Sequence, residues 1–114
     1  MQPEPVVIER PEPGVVVLHA KGDLDAFTAP ELRTHLHEAT TGEADLVVVD
    51  LARVTFIDSA GLGALVGAHR RMREAEGAFR IVRPPDLVAR AFELTGLDEV
   101  LDLRDDRAHA LAAR

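Results

Sequence analysis

The sequence predicts a single α/β domain, built on a mostly parallel sheet of four to five strands with helical crossovers and an N-terminal edge hairpin. Two observations support this fold class. The chain has 114 residues, 46% of them hydrophobic and 29% charged, which is the balance of one ordinary globular domain. Apolar runs then alternate with segments of helical periodicity in the order β-β-α-β-α-β-α-β-α, which is typical of parallel strands joined by helices. We expect residues 1–114 to form one domain with its core at about 6–103.

The N-terminal segments predict a hairpin. Residues 6–8 (Val-Val-Ile) lie between prolines and predict a short edge strand, since an edge tolerates residues that lack an N–H donor. Residues 15–18 predict a second strand, opened by Gly14 and closed by Gly22. The Pro-Glu-Pro-Gly sequence between them is typical of a turn, so the two strands are expected to pair as a hairpin.

A first helix and a buried strand come next. Thr28 and Glu31 have the spacing of a capping box, in which the two side chains satisfy backbone N–H groups at a helix N-terminus. The apolar residues of this helix repeat at helical spacing: Leu32, Leu36 and Ala39. Residues 46–49 (Leu-Val-Val-Val) are a continuous apolar run, which predicts a strand buried on both faces.

The middle of the chain predicts a second helix. A short connection through Phe56 and Ile57 leads to Ser59, which opens this helix, and Gly77 suits the position after its end. The apolar stripe of the helix consists of Leu62, Leu65, Val66, His69 and Met72.

A third helix follows a strand at residues 79–82. Asp86 is placed to cap this helix and Gly96 to end it. Its apolar face is expected to hold Leu87, Val88, Ala91, Phe92 and Thr95. Residues 100–103 then predict a last short strand, and residues 105–113 predict a weak terminal helix.

Composition disfavours several functional classes. The chain has no cysteine, so it forms no disulfide, thiolate metal site or cysteine nucleophile. Its net charge of −7 disfavours direct nucleic-acid binding, which needs clustered cations. The apolar runs are too short to span a bilayer and the start lacks the features of a signal peptide, so we expect a cytoplasmic protein without membrane insertion. Because the histidines lack ligand spacing, we expect no metal. Neither a phosphate-binding loop that ends in Gly-Lys-Ser/Thr nor a Gly-x-Gly-x-x-Gly motif is present, so we expect no nucleotide or other cofactor.

Ser59 lies where a buried strand is predicted to meet a helix, within the block Asp-Ser-Ala-Gly-Leu-Gly at residues 58–63. The simplest interpretation is that Ser59 is an N-cap, because serine is a leading residue at that position. Gly61 and Gly63 disfavour a helix by up to about 1 kcal/mol each relative to alanine, and they leave backbone N–H groups open to an anion. The alternative is a phosphate site, with the phosphate on a ligand or covalently on Ser59.

A second acidic loop follows the second predicted strand and contains Asp23 and Asp25. Loops at the carboxyl ends of parallel strands gather on one edge of the sheet, so these aspartates are expected to share a surface with Asp58 and Ser59. Spacing alone supports equally well the interpretation that the aspartates only cap turns and stay solvated.

Three blocks of the sequence carry a resemblance to a known family. They are Gly22-Asp23-Leu24-Asp25 with the Thr-Ala-Pro-Glu-Leu that follows at 28–32, the segment 50–63, and Phe-Glu-Leu-Thr-Gly-Leu at 92–97. Together they resemble the STAS domain of bacterial anti-sigma factor antagonists, over roughly residues 6–103 and without a large insertion. Asp23 stands where the family commonly has glutamate, which preserves the charge.

The resemblance implies a phosphorylation switch. In this family an anti-sigma factor that is itself a serine kinase phosphorylates the serine after the aspartate, and the unphosphorylated antagonist holds that kinase and frees a sigma factor. A PP2C-type phosphatase resets the antagonist. By position the phosphoacceptor is Ser59, and the expected partner-binding residues are Asp23, Asp25, Thr28, Asp58, Ser59, Ala60, Gly61 and Gly63. We expect a monomer or weak dimer.

Two other functions stay open. Similar domains are docking subunits of stressosome-like scaffolds and lipid-transport assemblies, although Ser59 favours the switch. A serine hydrolase is disfavoured, because Ile57 stands where the Gly-x-Ser-x-Gly elbow requires glycine. His69 is also about 15 Å from Ser59 along the same predicted helix, too far to act as its base. We therefore expect a binding protein and not an enzyme.

Overall fold

The N-terminal hairpin forms as predicted in the computed structural model, which describes residues 6–112. Strand β1 (Val6–Glu9) pairs antiparallel with β2 (Val15–Leu24) at the edge of the sheet. The second strand is longer than expected. Gly22 does not end it, because its φ of +75° bends the chain without breaking the pairing, and the register shifts between Gly22 and Asp23. Strand β2 therefore reaches the acidic loop directly.

The remaining elements appear in the predicted order. They are α1 (Ala29–Thr41), β3 (Leu46–Ile57), α2 (Ser59–Glu74), β4 (Ala78–Val82), α3 (Asp86–Thr95), β5 (Asp102–Arg104) and α4 (Arg107–Ala110). Strand β3 contains 12 residues, so the predicted connection through Phe56 and Ile57 is wrong. These two residues belong to the strand because β3 continues to pair with the extended end of β2.

The five strands lie in the order β1-β2-β3-β4-β5, with β2 to β5 parallel, which confirms the predicted fold class. Each right-handed crossover adds the next strand on the same side, so α1, α2 and α3 all lie on one face of the sheet. The main core forms there. Its largest fully buried side chains include Leu18, Leu24, Leu32, Leu36, Leu51, Leu65, Met72, Ile81 and Phe92. Residues 46–49 are buried on both faces, as predicted.

The C-terminal helix α4 covers part of the opposite face. Ala110 packs on a small cluster that includes Val15, Val17 and Val48. Arg80 on β4 is buried beside it, and its Nη1 donates to the carbonyl oxygens of Ala110 at 3.1 Å and of Ala112 at 2.8 Å. The terminal helix is shorter than predicted within the described residues, because Asp106 caps it by accepting from the N–H of His109 at 2.9 Å; residue 113 lies outside them.

Several predicted helix ends differ in detail. Asp86 is the first residue of α3 and not its cap, and its carboxylate accepts from Nη1 of Arg83 at 2.6 Å. Leu87 is 81% exposed, because α3 turns Val88 and Phe92 toward the core instead. Gly96 ends α3 with φ +75°, as predicted.

The structure corrects two further predictions, one for the segment after α2 and one for the segment after α3. The left-handed residue after α2 is Glu76, with φ +60°. Gly77 lies in a tight place instead, since a Cβ there would be 3.2 Å from the carbonyl oxygen of Asp45 and would displace the end of the Met72 side chain. The last strand begins at Asp102 instead of residue 100, because a 3-10 turn, Leu97–Glu99, precedes it.

A network of charged side chains ties α4 to β1. Arg107 donates to both carboxylate oxygens of Glu9, at 2.8 and 2.6 Å, and Nε2 of His19 lies 2.7 Å from the same carboxylate. The hydrogen bonds from Arg107, and then that from His19, hold the pKa of Glu9 at about 2, below its ordinary value of 4.5. The network therefore joins residues that are 98 positions apart in sequence.

This network predicts an acid-dependent loss of stability. A carboxylate whose pKa is lowered by folding stabilises the fold above its ordinary pKa, and that contribution disappears as pH falls through the folded-state value. The thermal midpoint of the wild type should exceed that of Glu9→Gln at pH 7, and the difference should shrink between pH 4.5 and about 2. Thermal melts of both proteins across this range measure it. A difference that stays constant with pH would contradict the assignment.

Candidate functional site

The ends of β2 and β3 bring the two acidic loops together. Leu24 pairs with Ile57 in the sheet, and the N–H of Asp58 donates to the carbonyl oxygen of Leu24 at 3.1 Å. Asp23, near the end of β2, and Asp25, on the loop that follows it, therefore lie on the same edge as Asp58 and the start of α2. The sheet places them together because both strands are parallel and end at the same level.

The first loop is held by the hydroxyl of Thr28. This hydroxyl donates to the carbonyl oxygen of Asp23 at 2.7 Å and accepts from the N–H of Asp25 at 3.0 Å. Thr28 is at the N-cap of α1, but its side chain makes no capping hydrogen bond, so the predicted capping box with Glu31 is wrong. The hydroxyl is not available for capping because it is engaged with the preceding loop.

The carboxylates of the first loop also make hydrogen bonds within the chain. Oδ1 of Asp25 accepts from the N–H of Phe27 at 2.9 Å and from the N–H of Thr28 at 3.2 Å. Oδ1 of Asp23 accepts from the hydroxyl of Thr55 on β3 at 2.9 Å. Each aspartate thus shapes the loop and leaves its second oxygen for other contacts.

Asp58, and not Ser59, caps α2. Its backbone is extended, and Oδ1 accepts from the N–H of Ala60 at 2.9 Å and from the N–H of Gly61 at 3.3 Å. These bonds occupy two of the donors that the sequence interpretation left open to an anion, the N–H groups of Ala60 and Gly61. The negative charge of an aspartate at this position also interacts favourably with the positive end of the helix dipole. The N–H groups of Ala60 and Gly61 are therefore satisfied by the chain itself.

Ser59 is the first residue of α2 and is exposed. Because Asp58 performs the capping, the hydroxyl of Ser59 has no structural task, and it makes no hydrogen bond within residues 6–112. A serine of this kind presents a free nucleophilic oxygen to any protein that approaches the edge of the sheet.

The two glycines of the block, Gly61 and Gly63, differ in how closely other atoms surround them. A Cβ on Gly61 would lie 2.9 Å from Cγ1 of Ile57 and 2.9 Å from the carbonyl oxygen of Leu24, so only glycine lets α2 approach the ends of both strands. A Cβ on Gly63 would meet nothing within 4 Å, and this residue is exposed. Gly61 is therefore part of the framework, whereas the fold itself does not require Gly63.

Two exposed aromatic side chains near these loops were missed by the sequence analysis. Phe27, next to the Asp25 turn, is 94% exposed, and Phe56, two residues before Asp58, is 49% exposed. Phenylalanine is among the residue types that are most often buried, so the exposure of Phe27 is unusual for its type. The sequence signals them only by their proximity to the acidic loops. The chain has four phenylalanines and no tryptophan or tyrosine.

The histidines do not form a site in the described part of the chain. No group of three or more His, Asp or Glu side chains there is arranged to hold a metal ion. His69 packs edge-on against Phe79, with ring centroids 6.5 Å apart, and burial lowers its pKa. We find no helix between residues 6 and 112 with the length and apolar character needed to cross a membrane.

The parallel sheet with an edge hairpin, and a serine at the start of the helix after its third strand, define a class of protein. A family model described as the STAS domain matches residues 6–110, and the chain belongs to that family. The anti-sigma-B factor antagonist of Listeria monocytogenes is 32% identical over 84 residues, which cover 74% of each chain. The anti-sigma F factor antagonist of Paenibacillus polymyxa is 29% identical over 101 residues, covering 86% of this chain and 85% of the relative.

Solved structures agree with the sequence comparison. The crystal structure of an anti-sigma factor antagonist from Mycobacterium paratuberculosis is similar, with a TM-score of 0.84 and 29% identity. The match covers 93% of this chain and 89% of that one. The resemblance that the sequence motifs carry is thereby confirmed at the level of family and fold.

Proposed function

We propose that this protein is an anti-sigma factor antagonist whose binding surface is switched by phosphorylation of Ser59. The observation that carries the proposal is the free, exposed hydroxyl of Ser59 beside the Asp58 cap. The names of the relatives support the antagonist function. The partner is an anti-sigma factor with serine kinase activity, and a PP2C-type phosphatase restores the unmodified state; all three act in the cytoplasm.

Phosphorylation of Ser59 raises the free energy of the complex but leaves the folded protein alone almost unaffected. A phosphoserine carries close to two negative charges at neutral pH. On exposed Ser59 the phosphate stays hydrated in the free protein. A docked partner would have to desolvate this dianion next to Asp58 and within an edge that also holds Asp23 and Asp25. Phosphorylation therefore weakens binding while the fold remains intact.

The edge of the sheet where β2 and β3 end also carries exposed aromatic side chains. Phe27 and Phe56 provide exposed aromatic contacts, and such residues often dominate binding energy when a partner buries them. The aspartates provide charges that favour a basic partner surface. We assign the partner-binding surface to these two phenylalanines together with the eight residues that the sequence predicts: Asp23, Asp25, Thr28, Asp58, Ser59, Ala60, Gly61 and Gly63.

Asp25 offers a test that separates charge from loop structure. Asp25→Asn keeps an oxygen that accepts from the N–H groups of Phe27 and Thr28 but removes the charge. We expect it to lower affinity for the anti-sigma factor about tenfold, equivalent to about 1.4 kcal/mol, because one attractive charge is lost. Its thermal midpoint should stay within a few degrees of the wild type. Calorimetric titration and thermal melts measure both.

Asp25→Ala is the matched control, because it removes the two hydrogen bonds as well and should cost about 1 kcal/mol of stability. If Asp25→Asn binds like the wild type and only Asp25→Ala binds weakly, then Asp25 acts through loop structure alone.

An esterase role has less support. Ser59 has no histidine hydrogen-bonded to it among residues 6–112. The N–H groups of Ala60 and Gly61, which could otherwise stabilise a reacting oxygen, donate to Asp58. The proposal therefore treats Ser59 as an acceptor of phosphate and assigns no catalytic residue.

The direct test of the function is a binding titration with each kinase-type anti-sigma factor of the host. One of them should form a stable complex with the unmodified protein. The proposal fails if none does, and a complex with a membrane-transport protein instead would favour the docking-subunit alternative.

A further inference from the structure

A groove runs along α2, starting at Ser59. Two open cavities of about 400 and 450 Å³ lie end to end and share Val66 and Arg70, so they form one continuous depression. The opposite wall is the segment between α3 and β5. The apolar lining of this α2 groove consists of Leu62, Val66, Leu97 and Val100. Arg70 is eleven positions after Ser59 in the sequence, so this stretch of helix is about 16 Å long at 1.5 Å per residue.

The fold leaves the groove unfilled. Val100 is 52% exposed in it. Gly63 contributes no side chain to the lining, although a Cβ there would meet nothing within 4 Å. Glycine inside a helix is less favourable than alanine, so the chain carries a destabilising residue at a position where its own packing does not require one. An occupant that approaches the backbone of α2 closely would explain the missing side chain.

The two ends of the α2 groove differ in charge. Asp58 lies at the Ser59 end, close to Asp23 and Asp25. Arg70 and Arg73 line the far end together with His69 and Glu74. Both arginines are exposed, and neither guanidinium has an ion pair or hydrogen bond with any other described residue. Unpaired arginines are notable in a chain with a net charge of −7. The two arginines outnumber Glu74 at the far end, so a segment that occupies this end needs acidic groups there.

We propose that the α2 groove receives an amphipathic segment of the anti-sigma factor, whose apolar side chains fill the depression and whose acidic side chains lie against Arg70 and Arg73. The inference rests on the proposed function and extends it, because the groove is continuous with the surface around Ser59. A partner that contacts Ser59 is thus already at the mouth of the groove. The far end then holds part of the complex about three helical turns from the phosphorylated residue.

Two variants test this docking. Gly63→Leu places a side chain in the open groove and should lower affinity for the anti-sigma factor at least tenfold, while its thermal midpoint stays equal to or above that of the wild type. The double variant Arg70→Glu, Arg73→Glu should lower affinity at least tenfold, with a smaller loss at high salt. Arg10→Glu, in the β1–β2 hairpin and outside the groove, is the charge control and should change affinity less than twofold.

The titrations use the anti-sigma factor that phosphorylates the wild-type protein, with sedimentation velocity of this protein alone as a second measurement. If both groove variants bind like the wild type while Asp25→Asn and phosphorylated Ser59 bind weakly, the groove inference is overturned and the proposed function stands. If the wild type binds no anti-sigma factor, both fail. Self-association of the wild type that Gly63→Leu abolishes would identify a second copy as the occupant and would also overturn the inference.

Discussion

Phosphorylation of Ser59 is expected to lower affinity for the anti-sigma factor by two to three orders of magnitude. A loss of this size corresponds to about 3–4 kcal/mol, which is a reasonable cost for desolvating a dianion beside a carboxylate in an interface. Ser59→Ala should bind as tightly as the unmodified wild type and accept no phosphate. Ser59→Asp should bind with intermediate affinity, because it adds one charge where phosphate adds about 1.5–2.

The measurement combines intact mass spectrometry with calorimetric titration. After incubation with the kinase and ATP, the wild type should gain one phosphate, and peptide mapping should locate it on Ser59. The neighbouring threonines are internal controls. The hydroxyls of Thr28 and Thr55 donate to Asp23, so they are engaged where that of Ser59 is free. A phosphate on either threonine, or equal affinities for all forms, would refute the switch.

Gly61→Ala is expected to destabilise the protein by about 1–3 kcal/mol, because the new methyl group would overpack a tight junction. Its Cβ would lie 2.9 Å from the carbonyl oxygen of Leu24 and 3.0 Å from Cβ of the same residue, and backbone at this position has little room to move. At about 4 °C per kcal/mol for a domain of this size, the thermal midpoint should fall by roughly 4–12 °C.

Gly63→Ala is the matched control for this substitution. It makes the same chemical change two residues away, where nothing lies within 4 Å of the added Cβ. Alanine is more favourable than glycine in a helix by about 1 kcal/mol, so this variant should be as stable as the wild type or more stable. Chemical denaturation of both variants measures the contrast. Equal destabilisation by the two substitutions would show that Gly61 is not held by the contact between α2 and the strand ends.

The fold was largely predictable because its signals are local and repeated. A continuous apolar run predicts a strand that is covered on both faces, and residues 46–49 form such a run. The structure buries all four of these residues. Helical periodicity placed α1 and α2, and Gly96 marked the end of α3 through its left-handed backbone. What local pattern did not reveal was the length of β2 and β3, because polar residues and a glycine interrupt their apolar runs before Leu24 and Ile57. The ends of the two strands are held by pairing with each other.

The caps show the same limit at the level of single side chains. Thr28 and Glu31 have the right spacing for a capping box, yet the hydroxyl of Thr28 bonds to the preceding loop. At the start of α2 both Asp58 and Ser59 are good capping residues, and spacing alone favours neither. The choice depends on which of the two is in extended backbone, and the pairing of Asp58 with Leu24 decides that.

The sequence alone therefore determined the α/β fold, the family and the block around Ser59, because periodicity and short motifs are written in consecutive residues. Only the tertiary structure decided that the hydroxyl of Ser59 is free, that Gly61 is required and Gly63 is not, and that Phe27 and Phe56 are exposed beside the acidic loops. Each of these depends on atoms from separate segments that meet where β2 and β3 end. Distances between such atoms arise only when the sheet assembles, so no local pattern records them.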